Sequence, residues 1–517
     1  MPHALLRPPQ VLAKVAAAAA AQAVWARSPF SQRRRLLRIL QRFILDAQDD
    51  ICAVAARDSG KPLVDAAFGE VMVTLEKVEW LCAEGEAWLK PERRSPGRMM
   101  FYKRARVEYH PVGVIGAIVP WNYPFHNVFN PLLSSLFAGN ALVVKVSEHA
   151  TWSSSYYGRV VDAALAAAGA PPGLVQIVTG FAEAGNALVT APGVAKVVFV
   201  GSTAVGKRVM AAAAAAPKPV VLELGGKDCF IVAADADLSR VVPIALRGAF
   251  QSCGQNCAGA ERFFVQRSAY RPFCSAAAAA CAALRVGWAL TPGGVDAGAM
   301  CMASQAAFVD ALVADAIAHG ATLLATAPPP PAGASSGQFC APRVLCGVTP
   351  GMRIAQEEVF GPVLCITPFD TDDEAVALAN ACPFGLGSNV FCRSPARARA
   401  IAARVHAGMA SLNDFASTYM AQSLPFGGVK ESGFDRFAGV EGLRGCCVPK
   451  AVIEDRWFGL IQTDIPPPLR YPVAPYAFDF VAGLIRMFYG LTLWDSLCGA
   501  ASVAACFVLP AKKPKAE

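Results

Sequence analysis

Two cysteines stand four positions apart in FQSCGQNCAGAER, Phe250 to Arg262: Cys253 and Cys257, with Gly254 and Gln255 between them. A thiol there offers four chemistries: metal ligation, a disulfide, core packing or nucleophilic attack. Zinc would need two more Cys or His ligands at a recognisable spacing. The nearest cysteines, Cys229, Cys274 and Cys281, form no such pattern, so no metal is expected. A Cys-His hydrolase would need a histidine in a distinctive motif, and none of the six has one. VVLELGGKD, Val220 to Asp228, ends an apolar run on Glu223. A carboxylate in such a run is costly unless paired or functional, which leaves a salt bridge and a general base both open. PWNYP, Pro120 to Pro124, holds Asn122 between prolines, either as a rigidly placed amide donor or as part of a stiff turn. KVVFVGSTAVGKR, Lys196 to Arg208, nearly matches a phosphate loop, but Arg208 stands where the Mg²⁺-binding hydroxyl belongs. Magnesium-dependent phosphoryl transfer thereby loses its central part. What remains is a strand-to-helix turn, or a helix N-terminus facing a dinucleotide pyrophosphate with Ser202 as hydroxyl donor.

These residues need elements to carry them. From Pro111 to Leu224, apolar β-branched runs alternate with helix-like stretches. The runs are Val112 to Val119, Ala141 to Val146, Leu174 to Val178, Lys196 to Val200 and Val220 to Leu224. This alternation predicts βαβ units in a parallel sheet with its ligand at the carboxyl ends of the strands. A second alternating block runs from Asp228 to about Val448, interrupted by PPPPAGASSG, Pro328 to Gly337, which reads as a surface loop. With 517 residues, two or three folding units are expected. Residues 1–45 carry eight Lys or Arg and no acid, as a mitochondrial transit peptide would, yet Gln10 to Ala26 and Gln32 to Ala47 read as folded helices. A net charge of +8, scattered beyond the N-terminus, gives a nucleic-acid partner little support. Seventeen irregularly spaced cysteines suit reduced thiols in a cytosol-like compartment.

Seven motifs occur together in order: PWNYP, KVSEH (Lys145 to His149), FVGSTAVG, LELGGK, GQNCAGAER, EEVFGPV (Glu357 to Val363) and LPFGGVKESG (Leu424 to Gly433). In this the chain resembles the aldehyde dehydrogenase superfamily from roughly Val11 to Glu454. It looks most similar to the plant and fungal branch called family 22, through PWNYPFHNVFNP, SEHATWS, SCGQNCAGAERF, LNDFAS and the later EDRW and YPVA segments. The resemblance implies an α/β fold with a Rossmann-type dinucleotide domain (1–97 and 111–225) and an α/β catalytic domain (226–448). A small bridging β-ribbon (98–110 and 449–457) that pairs subunits, and a C-terminal apolar tail (466–517), complete it. It implies Cys257 as nucleophile and Glu223, 34 residues earlier, as general base; Cys253 matches no catalytic position and is expected in packing. Asn122 and the Cys257 backbone N–H would hold the oxyanion. The implied cofactor is NAD, contacted by Trp121, by Lys145 and Glu148 at the adenosine ribose, and by Gly201 and Ser202 at the pyrophosphate. Glu358 would bind the nicotinamide ribose and Phe360 would pack near the nicotinamide.

The implied reaction oxidises an aldehyde to its acid through a Cys257 thiohemiacetal and thioester. The rival is a catalytically idle, membrane-attached relative acting as an interaction protein. A homodimer or homotetramer is expected, in the cytoplasm or at the endoplasmic reticulum membrane, with the mitochondrion as alternative. The sequence departs from family 22 in lacking a membrane-spanning leader and first strand region. It also places Gln251 where many relatives have an aromatic, which leaves Phe415 and Tyr419 to line the substrate tunnel. In the tail, the 25 residues Met487 to Ala511 hold one charge, Asp495, with Lys512, Lys513 and Lys515 beyond; the uncharged part from Ser496 is 16 residues long. A bilayer core needs about 20, so the expectation is a helix lying in the lipid interface, a short tilted insertion anchored by Trp494 and the lysines, or a segment packed on the protein or across the oligomer.

Overall fold

The computed structural model describes residues 5–330, 337–457 and 462–508. It forms two compact units, one of residues up to Leu89 with His110–Val448, the other of Lys90–Tyr109 with Pro449 onward.

The first unit holds two sheets. In the six-stranded sheet the order is Gly433–Phe434, Val220–Glu223, Val194–Val200, Val114–Val119, Ala141–Val146, Val175–Val178. All neighbours are parallel except the short Gly433–Phe434 strand, which runs antiparallel to Val220–Glu223. Helices on both faces explain why the strands read as largely apolar runs: every residue of Ala141–Val146 is buried, Lys145 included. After Val114–Val119 the chain adds strands on one side, then returns to lay Val194–Val200 on the other. Strand order therefore reverses between those two neighbours, which opens a crevice at their carboxyl ends. The seven-stranded sheet runs Thr322–Thr326, Arg343–Cys346, Val363–Phe369, Ala260–Gln266, Asp228–Val232, Gly387–Phe391, Met409–Leu412, with only the first pair antiparallel.

The N-terminal basic stretch is helical, as Pro8–Trp25 and Phe30–Asp46. The first helix starts two residues before Gln10, because prolines in a first turn give up no intrahelical bond. Trp25 Nε1 donates to the Leu136 carbonyl at 2.9 Å and Arg33 Nη1 to that of Phe137 at 3.0 Å, so these helices pack on helix His126–Ala138. Residues 63–89 form one long helical run broken by two π-bulges, Ala67–Met72 and Leu81–Gly85. All seventeen cysteines are free thiols.

In the second unit, Glu92–Arg94, Lys103–Pro111 and Cys447–Asp455 form a three-stranded ribbon. The tail is a helical hairpin of Ala477–Tyr489 and Leu493–Val508. Asp495 accepts from Thr492 N and Oγ1 at 3.0 and 2.7 Å, so the single charge of the apolar stretch closes the turn that divides it. Gly483 and Gly499 let the two helices touch, for a Cβ on Gly499 would lie 2.3 Å from Met487 N. Among the described residues no helix is long and apolar enough to cross a membrane. Lys512, Lys513 and Lys515, the end of the apolar stretch and residues 331–336 of the Pro/Gly loop lie outside the described residues.

Candidate active site

A cavity of about 430 Å³ lies at the crevice. Strand Val114–Val119 delivers Trp121 and Asn122 to it, Val194–Val200 delivers Gly201 and Ser202, and Val220–Glu223 delivers its last residue. From the other sheet come Cys257, ahead of strand Ala260–Gln266, and Glu358 and Phe360, ahead of Val363–Phe369. Lys145 and Glu148 do not line this cavity; they pair with each other at 3.2 Å beyond the adjacent strand, Ala141–Val146.

Glu223 is 1 % exposed, and among the described residues no hydrogen bond of ordinary geometry reaches either carboxylate oxygen. Burial pushes its carboxyl up to about 7, with the neighbouring Cys257 thiol pulling it down. The Cys257 thiol, partly exposed to the cavity, is driven well above its ordinary range by burial and then by the charge of Glu223. The thiol therefore rests protonated, and its proton is held more tightly than the one Glu223 would take up. Asn122 Nδ2 donates to the Gln255 carbonyl at 3.2 Å, while its Oδ1 accepts from Asn127 Nδ2, also at 3.2 Å. The second bond fixes which end of the amide faces the Cys257 loop. Cys253 is fully buried in a cluster with Met300, Val309 and Cys340, and its Sγ accepts from Gly298 N at 3.2 Å.

The cofactor side is shaped by missing side chains. Gly225 has φ +76°, and a Cβ there would sit 2.4 Å from Glu358 Oε1. The same oxygen accepts from Gly226 N at 3.0 Å, and burial, then Glu261, raises the Glu358 carboxyl well above the usual range. Trp121 and Phe360 meet edge to face at 5.8 Å. Ser202 precedes helix Thr203–Ala214 and makes no side-chain capping bond. At Glu148, burial would raise the carboxyl, but its own backbone N–H and Lys145 outweigh it and hold the group low. A helix N-terminus behind a glycine, with carboxylates able to accept from hydroxyl groups on either side, is a set of groups that fits a dinucleotide.

The expected Gln251, Phe415 and Tyr419 line the cavity, and so do Phe68, Asn127, Phe426 and Phe437, which the sequence reading did not single out. Asn127 and Phe426 sit inside motifs already quoted; Phe68 and Phe437 carry no local signal.

A family model described as the aldehyde dehydrogenase family matches residues 4–452. The chain belongs to the aldehyde dehydrogenase family. It is 40% identical over 484 residues to an aldehyde dehydrogenase-like protein of Schizosaccharomyces pombe, covering 92% of this chain and 91% of the relative. To an aldehyde dehydrogenase-like protein of Saccharomyces cerevisiae it is 41% identical over 510 residues, covering 95% and 78%. The solved structure of an aldehyde dehydrogenase from Burkholderia cenocepacia superposes with a TM-score of 0.82 at 37% identity, covering 88% of this chain and 93% of that one. PnpE in complex with nicotinamide adenine dinucleotide gives 0.83 at 29% identity, covering 90% and 92%. An NADP-dependent enzyme of E. coli gives 0.81, also at 29%, covering 87% and 91%. The aldehyde dehydrogenase fold is thus established, and the protein is an oxidoreductase that acts on aldehydes with a nicotinamide dinucleotide.

Proposed function

We propose that this enzyme oxidises an uncharged, apolar or aromatic aldehyde to its carboxylic acid with NAD, through a thioester on Cys257. The observation that carries the reading is the meeting of Cys257, Glu223 and Asn122 on one cavity wall, with the amide turned toward the nucleophile loop. Glu223 takes the thiol proton as Cys257 Sγ adds to the carbonyl carbon. The oxygen of the resulting thiohemiacetal gathers negative charge, and the Asn122 amide and the Cys257 backbone N–H are the donors for it. When bound, the nicotinamide dinucleotide supplies a hydride acceptor. Once that first proton has passed from Glu223 to solvent, the carboxylate deprotonates the water that cleaves the thioester, and the proton it takes returns to the Cys257 sulfur as the acid leaves. The same complement of groups disfavours a catalytically idle role. Lys145 with Glu148 would hold the adenosine ribose, Gly201 with Ser202 the pyrophosphate, Glu358 the nicotinamide ribose, and Trp121 with Phe360 the nicotinamide surroundings. An ionised Glu148 repels a 2′-phosphate, which supports NAD over NADP.

The substrate class follows from the wall. Phe68, Phe415, Tyr419, Phe426 and Phe437 supply its apolar area, and the charged residues lining it, Glu223, Glu358 and Asp414, are all acidic. An aldehyde with a distal carboxylate meets no cation there. A homodimer or homotetramer, and contact of the hairpin with a lipid surface, belong to the same proposal. Exposed Val448 and Ile453 on the edge strand of the ribbon support the first, and exposed Leu491, Leu493 and Trp494 at the hairpin turn support the second. The test is NAD reduction by purified protein with hexanal, benzaldehyde and a carboxy-terminated aldehyde of equal length. The neutral aldehydes should lead in kcat/KM by about tenfold or more, and Glu148→Gln should narrow the gap between NAD and NADP. A preference for the anionic aldehyde would overturn the substrate class; no NAD reduction with any aldehyde would overturn the reaction.

A further inference from the structure

Two buried lysine–glutamate pairs flank the cavity without reaching its chemistry, and each does the same thing to a different loop. Lys61 Nζ lies 2.8 Å from Glu70 Oε1, with both side chains at most 1 % exposed. The other oxygen, Oε2, accepts from the backbone N–H groups of Phe125 and His126 at 2.7 and 2.9 Å. Those are the opening amides of helix His126–Ala138, so Glu70 caps that helix from a distant element and places its charge at the positive end. Asn122 is three residues upstream of Phe125, across Pro124. The Lys61 ammonium also stands 3.8 Å from the ring centre of Tyr123, the residue next to Asn122. The same segment reaches the nucleophile loop: Asp65 Oδ2 accepts from Ser252 N at 2.8 Å, and Ser252 Oγ donates to Tyr123 Oη at 3.3 Å. Ser252 and Cys253 are held there at φ +52° and +59°, a left-handed backbone that needs such fixing.

The second pair joins Lys227 Nζ to Glu261 Oε2 at 2.6 Å, with side chains 0 % and 7 % exposed. Glu261 accepts from Val359 N at 2.8 Å and from Phe360 N at 2.9 Å, and Phe360 too is left-handed, at φ +46°. Lys227 follows Gly226, whose N–H binds Glu358. Stability alone does not call for such pairs, since a well-packed apolar pair often does as well; two pairs each spent on two backbone amides point to positioning.

We propose that Lys61–Glu70 and Lys227–Glu261 are two independent positioning clamps, the first setting Asn122 against the Cys257 loop, the second setting the Glu358–Phe360 segment. The proposal rests on the function given above. It requires a division of labour that a scaffold role would not produce. Glu70→Gln should lower kcat by about 10²-fold, the scale of an ångström's misplacement of an oxyanion donor, while the dissociation constant for NAD stays within about threefold. Glu261→Gln should weaken NAD by about tenfold and leave kcat at saturating NAD within about threefold. The rate at which iodoacetamide alkylates Cys257, which needs no oxyanion donor, should hold in both. Because a lone buried ammonium threatens folding, the same measurements are made on the charge-neutral pairs Lys61→Met with Glu70→Gln and Lys227→Met with Glu261→Gln, with melting temperature recorded alongside. The crossed pattern supports the clamps. Equal losses in kcat and NAD affinity at both sites, unchanged kinetics at both, or neutral pairs that do not fold would each overturn them. Failure of the reaction itself is read separately, as absence of turnover in the unmutated enzyme.

Discussion

Cys257 and Glu223 have different parts in the proposed reaction, and their variants should differ accordingly. Cys257→Ala should abolish aldehyde oxidation, whereas Cys253→Ala, which empties a site in the packed core, should cost stability and keep most turnover; steady-state NADH formation beside a thermal melt separates the two. Glu223 acts only when ionised, and burial has raised its carboxyl to about 7. Activity should therefore fall as pH drops through neutrality, and Glu223→Gln should be slower by about 10²-fold and lack that limb of the kcat profile. A slow variant with the limb intact would assign the titration elsewhere. The residues alone left Glu223 open between a salt bridge and a base, and Cys257 among four chemistries; it was the family resemblance that put both in one site, and the cavity does bring them together. Phe68 and Phe437 were not legible in the sequence. They reach the cavity from opposite ends of the chain, and an apolar side chain has the same look in a core as in a substrate wall.

Strands were the most readable elements. Ala141–Val146 matches its predicted run end for end, and the others shift by three residues or fewer, since a doubly covered parallel strand is apolar over most of its length, with Lys145 and Lys196 as the exceptions. The π-bulges at Ala67–Met72 and Leu81–Gly85 were invisible, because a one-residue slip within a helix leaves no compositional mark. The turn after Val220–Glu223 gives a prediction of its own. Gly225→Ala must both hold φ near +76° and clear Glu358 Oε1, 2.4 Å from the new Cβ. The variant should raise KM for the dinucleotide by about tenfold, with a smaller effect on kcat, and should unfold about 1 kcal/mol or more earlier in denaturant titration. An unchanged KM would mean that Glu358 moves freely and does not hold the ribose.

For the whole molecule, every residue lining the cavity lies between Phe68 and Phe437. The hairpin packs Gly483 on Gly499 and Phe480 on Phe507 within itself. Ending the chain after Ile465 should thus leave oxidation of small aldehydes intact while abolishing co-sedimentation with phospholipid vesicles. Loss of activity on truncation, or vesicle binding that survives it, would contradict the proposed lipid contact. The break at Gly490 to Thr492 could not be read from hydropathy, which sees one apolar stretch; it depends on Asp495 folding back onto Thr492. The short strand Gly433–Phe434 carries one more implication, for the order in which the chain is made. It pairs with Leu222 and Glu223, some 210 residues earlier, and Ser432 accepts from Leu224 N. Until the ribosome has delivered that strand, the edge bearing Glu223 is open to water, and a hydrated carboxyl returns to its ordinary acidity. On the mechanism proposed above, whatever reactivity at Cys257 depends on the buried carboxyl would thus be acquired only after that strand has been made.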